Sequence, residues 1–108
     1  MKIRTGIALV AMMAATTMTS AFAQAGADTY KAKCAMCHGA TGDGKGDMAV
    51  ESKFTMKDYR DPAALKDMTD GELFYIIQKG KGEMPPEGDR GKADDMWNLV
   101  NYVRTFKK

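Results

Sequence analysis

Apolar residues fall along this chain in one unbroken run and in three stripes of helical period. The run, residues 7–15, is nine apolar side chains without interruption. The first stripe lies over 27–37, with Tyr30 and Cys34 four apart on one face. The second begins at Thr69, whose hydroxyl and Glu72 three residues on predict a capping box. Leu73, Ile76 and Ile77 give it an apolar face, and Gly80 supplies a stop. The third covers 93–106, where Trp97, Val100 and Val103 share a face with Leu99 and Phe106 beside it. Asp94 and Asp95 in its first turn and Lys107-Lys108 after its end suit the helix dipole. No stretch alternates with period two for long, so strands are not expected. The pattern predicts an all-α domain of three main helices, with some thirty loop residues between the first two.

The apolar run follows a basic start, Lys2 and Arg4, and precedes Ala21-Phe22-Ala23, with small residues where a signal peptidase reads. A membrane span needs about 20 apolar residues, and this run is too short. Residues 1–23 are therefore expected to be a cleaved signal peptide, with 24–108 the folded domain. The cut changes the charge. Of 108 residues, 16 are Lys or Arg and 14 Asp or Glu; losing Lys2 and Arg4 leaves 14 bases against 14 acids. A neutral domain gives no reason to expect a nucleic-acid partner or stable membrane insertion.

A domain of 85 residues with so long a loop cannot bury much apolar surface unaided and needs a staple. The chain has two cysteines and one histidine, and all three lie in Cys34-Ala35-Met36-Cys37-His38. Residues three apart on a helix share a face, so both thiols can reach the two vinyl groups on one haem edge, with His38 carried under the iron. A disulfide, a thioredoxin-like redox pair and a zinc site compete. The redox pair lacks its βαβ surroundings, and zinc lacks a fourth ligand nearby. Four glycines in the segment 39–46 suggest a phosphate cradle, but Lys45 is followed by Gly46 and not by Ser or Thr.

With these residues in place, the segment 24–108 resembles a class I cytochrome c. Gly26 and Tyr30 stand eight and four residues before Cys34, like the family's helix-packing pair, and Leu99 and Tyr102 resemble their partners on the last helix. The segment 39–46 is similar to the family's glycine-rich loop, and Gly80-Lys81-Gly82-Glu83-Met84-Pro85-Pro86 to its second ligand segment. The resemblance implies the cytochrome c fold, with loops wrapped around one haem c held by Cys34 and Cys37 and ligated by His38 and Met84. Six methionines follow residue 23: Met36, Met48, Met56, Met68, Met84 and Met96. Pro85 biases Met84 toward an extended backbone that projects its side chain; Met56 and Met68 are the runners-up. Tyr59 and Arg60 are candidates for hydrogen bonds to a haem propionate. The cap of the last helix, near Gly91-Lys92, is weaker than the family's Ser or Thr.

His/Met ligation fills both axial positions and raises the reduction potential. The expectation is therefore a periplasmic monomer that carries single electrons between redox partner proteins and turns over no substrate of its own. Lys45, Lys79 and Lys81 are candidates for steering a partner, although formal neutrality argues against strong steering. Two other readings are a haem c subunit of a larger oxidase or dehydrogenase, and a gas sensor or peroxidase with displaceable Met84.

Overall fold

The computed structural model describes residues 17–106. The basic start and the apolar run lie outside the described residues. Five helices follow in order: α1 Thr17–Lys33, α2 Ala35–His38, α3 Asp47–Glu51, α4 Asp70–Lys79 and α5 Ala93–Val103. Among the described residues there is no strand; a single bridge pairs Lys81 with Met84.

The first helix starts ten residues before the predicted 27 and stops four earlier than 37. Its early start follows from Ala21, Ala23, Ala25 and Ala27, strong helix formers in a stretch with no breaker but Gly26. Its end is only a step: Cys34 takes φ −118° and ψ −35°, and α2 resumes at the next residue. The second helix matches its forecast. Thr69 caps it by accepting the Glu72 N–H at 3.1 Å, and Gly80 closes it. The third starts at Ala93 as expected, without a side-chain cap from Lys92; the Asp95 carboxylate reaches back to the Lys92 N–H instead, at 3.3 Å. It ends three residues short of 106, because the Thr105 hydroxyl donates to the Tyr102 carbonyl at 2.6 Å and closes the last turn.

The buried face of α5 is Met96, Leu99, Val100 and Val103, a set with i, i+3, i+4, i+7 spacing. Trp97, expected on that face, is one residue out of phase and 42% exposed. It stacks on Phe74 of α4, ring centroids 4.3 Å apart.

Helices α1 and α5 cross at Gly26, where a Cβ would lie 2.7 Å from the Asn98 carbonyl oxygen. Four residues on, Tyr30 packs against Tyr102 and Phe106 with centroids 5.2 and 5.1 Å away. These contacts are the helix pairing that the resemblance implied. Arg104 adds a tie the sequence did not reveal: its guanidinium donates to the Met68 carbonyl and to Asp70, both at 2.6 Å, fixing the end of α5 to the start of α4. Gly26→Ala is expected to destabilise the protein. The helix gains about 1 kcal/mol of propensity, but overpacking against backbone costs about 1–3 kcal/mol. A melting curve checks this, since each net kcal/mol lowers the midpoint by about 4–8 °C in a domain this small; an unchanged or higher midpoint would show that the crossing has slack.

Candidate functional site

Where α1 steps into α2, the Cys34 N–H still reaches the Tyr30 carbonyl at 2.8 Å. The Cys37 and His38 N–H groups return to the Cys34 carbonyl at 3.2 and 2.9 Å. The two cysteines therefore sit one turn apart with His38 beside them. The glycine-rich loop folds back under this turn: Gly44 donates to the His38 carbonyl at 2.8 Å and Gly46 to the Cys37 carbonyl at 3.0 Å. Gly46 lies so close to the Met36 carbonyl that a Cβ would collide with it. The loop thus supports the backbone that carries His38 and encloses no phosphate cradle. Tyr59 completes the support. Its N–H donates to the Gly42 carbonyl at 2.7 Å and its ring stacks on the His38 imidazole, 5.2 Å away and 20° from parallel.

The buried Tyr30 hydroxyl donates to the Gly39 carbonyl at 2.7 Å, pinning the residue that follows His38. Burial pushes its acidity well below that of an ordinary tyrosine, so it stays a donor. Tyr30→Phe is expected to cost about 1 kcal/mol, the net worth of one hydrogen bond, because the Gly39 carbonyl keeps the Gly42 N–H. A denaturation midpoint measures the loss; a cost near zero would mean that ring packing alone positions this turn.

A second segment carries Met84. Gly80 ends α4 at φ +76°, where a Cβ would be 2.5 Å from the Met84 carbonyl oxygen, so only glycine fits without strain. Lys81 and Met84 exchange backbone hydrogen bonds at 3.1 and 3.0 Å across a tight turn. After Pro85-Pro86 the strap is laced to α4, Glu87 N–H to the Ile77 carbonyl at 2.9 Å and Gly88 N–H to that of Gln78 at 3.0 Å.

Both segments open on one cavity of ≈ 380 Å³. Cys34, Cys37, His38, Tyr59 and Met84 line it together with apolar side chains of α4 and α5, including Leu73, Ile77, Leu99 and Val103. Lys81 also lines it, whereas Lys45 and Lys79 are exposed elsewhere. Met56 and Met68 reach the same cavity, but the Met68 sulfur already accepts from Lys57 Nζ at 3.7 Å. Arg60 does not line it; its guanidinium is engaged by both oxygens of Asp58, at 2.9 and 2.8 Å.

Burial favours the uncharged forms of Cys34, His38 and Tyr59 in the cavity wall. Burial lowers the His38 pKa and so favours the uncharged imidazole, the form that binds metals. His38 Nδ1 is buried with no hydrogen-bond partner. Burial and, second, the Glu87 charge push the Cys34 thiol up to about 11. Burial raises the Tyr59 hydroxyl as well, with Cys34 adding to it. Cys34 and Cys37 are not joined in a disulfide. Among the described residues no three His, Cys, Asp or Glu side chains converge as a zinc site requires. An apolar cavity edged by two thiols, one neutral imidazole and a thioether fits a haem held through its vinyl groups.

The sequence profile described as cytochrome C oxidase, cbb3-type, subunit III matches residues 21–103. No curated protein matches the sequence. Among solved structures, the c-type cytochrome KustC0563 is similar over 77% of this chain and 98% of its own, at 27% identity and a TM-score of 0.65. Cytochrome c6 from the diatom Phaeodactylum tricornutum is 25% identical over 76% of this chain and 90% of its own, TM-score 0.60. Cytochrome cL from Hyphomicrobium denitrificans is 29% identical over 84% of this chain and 51% of its own, TM-score 0.65.

Proposed function

The chain belongs to the cytochrome c family of cbb3-type oxidase subunit III, a class I c-type cytochrome carrying covalently bound haem c, and we propose that it is a periplasmic single-electron carrier with His38 and Met84 as axial ligands. The observation that carries this reading is the single cavity lined by Cys34, Cys37, His38 and Met84. In it Cys34 and Cys37 form the two thioethers. The bound haem iron supplies the one-electron couple, and a soft sulfur beside a neutral imidazole favours its ferrous form.

The chain's residues do the rest. Tyr30 and the glycine loop fix the backbone around His38, the Lys81–Met84 turn holds the thioether, and the walls from α4 and α5 exclude water. With His38 and Met84 as its ligands the iron would offer a substrate no site to enter, which suits a carrier. Residues 1–23 act as the export signal. Ala21, Phe22, Ala23 and Gln24 are all exposed, and Gly26 is the first buried residue among those whose burial is described, which suits cleavage after Ala23. No helix among the described residues is long and apolar enough to cross a membrane.

Absorption spectra of both redox states, with a test for covalent haem, check the reading. Low-spin spectra in both states and slow carbon monoxide binding are expected; rapid carbon monoxide binding by the ferrous protein would instead mean an open iron and a sensor or peroxidase. The family's name, a subunit of an oxidase, favours a second reading as a docked haem subunit. Purification as a monomer supports the free carrier, and obligatory co-purification with a larger complex supports the subunit.

A further inference from the structure

Among the described residues, Glu87 is the one buried charged side chain, 6% exposed, and it lies in the cavity wall. A buried carboxylate is costly unless it is paired. Its pairing is divided between two cations. Oε1 accepts from Arg90 Nη2 within the same turn. Oε2 accepts no hydrogen bond and lies 3.4 Å from Nζ of Lys33, an ion pair with the last residue of α1 and the neighbour of Cys34. Lys33 Nζ also donates to the Arg90 carbonyl at 3.4 Å, so a single ammonium grips the 87–90 turn at two points. That turn is itself closed by the Arg90 and Gly91 N–H groups on the Glu87 carbonyl, at 3.0 and 2.9 Å.

We propose that Glu87 is a positioning residue: with Lys33 it clamps the haem-attachment end of α1 to the strap that carries Met84. The proposal rests on the reading of Met84 as sixth ligand. Lys33 stands one residue before Cys34, and Glu87 three residues after Met84. The ion pair therefore joins the two segments that must stay in register on either side of the cofactor. An apolar residue at 87 would fill the wall equally well but would leave the strap tied to α1 only by the Lys33 contact with the Arg90 carbonyl. The two cations have different duties. Lys33 crosses between segments, whereas Arg90 neutralises the carboxylate from within the strap and is itself largely exposed. A clamp needs Lys33 and can spare Arg90. A simple charge effect on the iron would treat them alike.

The test uses the haem-loaded protein and four variants: Glu87→Gln, which keeps the shape, Lys33→Met, Arg90→Met, and Met84→Ala as the open reference. Carbon monoxide binding to the ferrous form and the reduction potential are read for each. Glu87→Gln and Lys33→Met are expected to bind carbon monoxide up to about fivefold faster, the scale of one partly exposed ion pair, and to have lowered potentials. Arg90→Met stays near wild type, as an exposed pair allows. If Met84→Ala opens the iron while Glu87→Gln and Lys33→Met remain closed, the clamp is wrong and the ligand reading stands. Equal potential shifts in Lys33→Met and Arg90→Met, with the iron closed, likewise overturn it in favour of charge alone. If Met84→Ala itself stays closed, the ligand reading fails and the clamp falls with it.

Discussion

Met84→Ala is expected to leave haem covalently attached, open the sixth position of the iron and lower the reduction potential. Attachment depends on Cys34 and Cys37, which lie in a turn built from α1, α2 and the glycine loop and make no backbone hydrogen bond to the strap. Loss of the thioether removes the soft ligand that favours ferrous iron. Axial ligands move haem potentials over a range of about 0.8 V, so the drop should be a sizeable fraction of that range. The ferrous variant should also bind carbon monoxide rapidly, because water is a weak competitor for the vacated position. Two other thioethers reach the cavity, Met56 and Met68. Met68 is held by Lys57 at its sulfur, and Met56 lies in the irregular 54–58 stretch of the connection before α4. A wild-type spectrum and potential in Met84→Ala would identify one of these as the ligand instead; adding Met56→Ala or Met68→Ala would then show which.

The parts of this molecule legible in the sequence are those where one residue type has one physical use. Thr69 could serve as a cap at the head of its apolar stripe and Gly80 as its stop, and both do. Cys34, Cys37 and His38 could be read together because the chain holds no other cysteine or histidine. Methionine is different. It fills gaps as readily as it ligates iron, so composition could not separate Met84 from Met56 and Met68, and all three line the cavity. Trp97 was misplaced because an apolar stripe shifted by one residue still has helical period; only the neighbouring Phe74 decides the phase. Arg60 reads as a candidate for a haem propionate, but Asp58, two residues away, holds its guanidinium. Glu87 gave no signal at all. A glutamate after two prolines reads as solvated loop, and its burial follows from Lys33, 54 positions earlier in the chain.

Replacing both cysteines, Cys34→Ser with Cys37→Ser, and extracting any unattached haem is expected to abolish the cooperative fold. The argument is one of magnitude. An enclosed cavity costs about 24 cal/mol per Å³, so ≈ 380 Å³ left empty would cost at most about 9 kcal/mol, less where it opens to solvent. Whole domains are stable by only about 5–15 kcal/mol, and one this small sits toward the lower end. The chain lowers that cost by letting its walls collapse, which means surrendering the packing of Leu73, Ile77, Leu99 and Val103 around the cavity. Helix α5 should persist longest, through Tyr102 and Phe106, which pack on Tyr30 from the side away from the cavity lining. Circular dichroism should therefore show partial helicity with no cooperative melting, and protease should cut the 39–68 connection first, since the cofactor orders it more than any core of its own. A colourless double variant that melts cooperatively near the midpoint of the haem-loaded protein would mean that the helices form a sufficient core, and that the haem is a guest in this fold and not its centre.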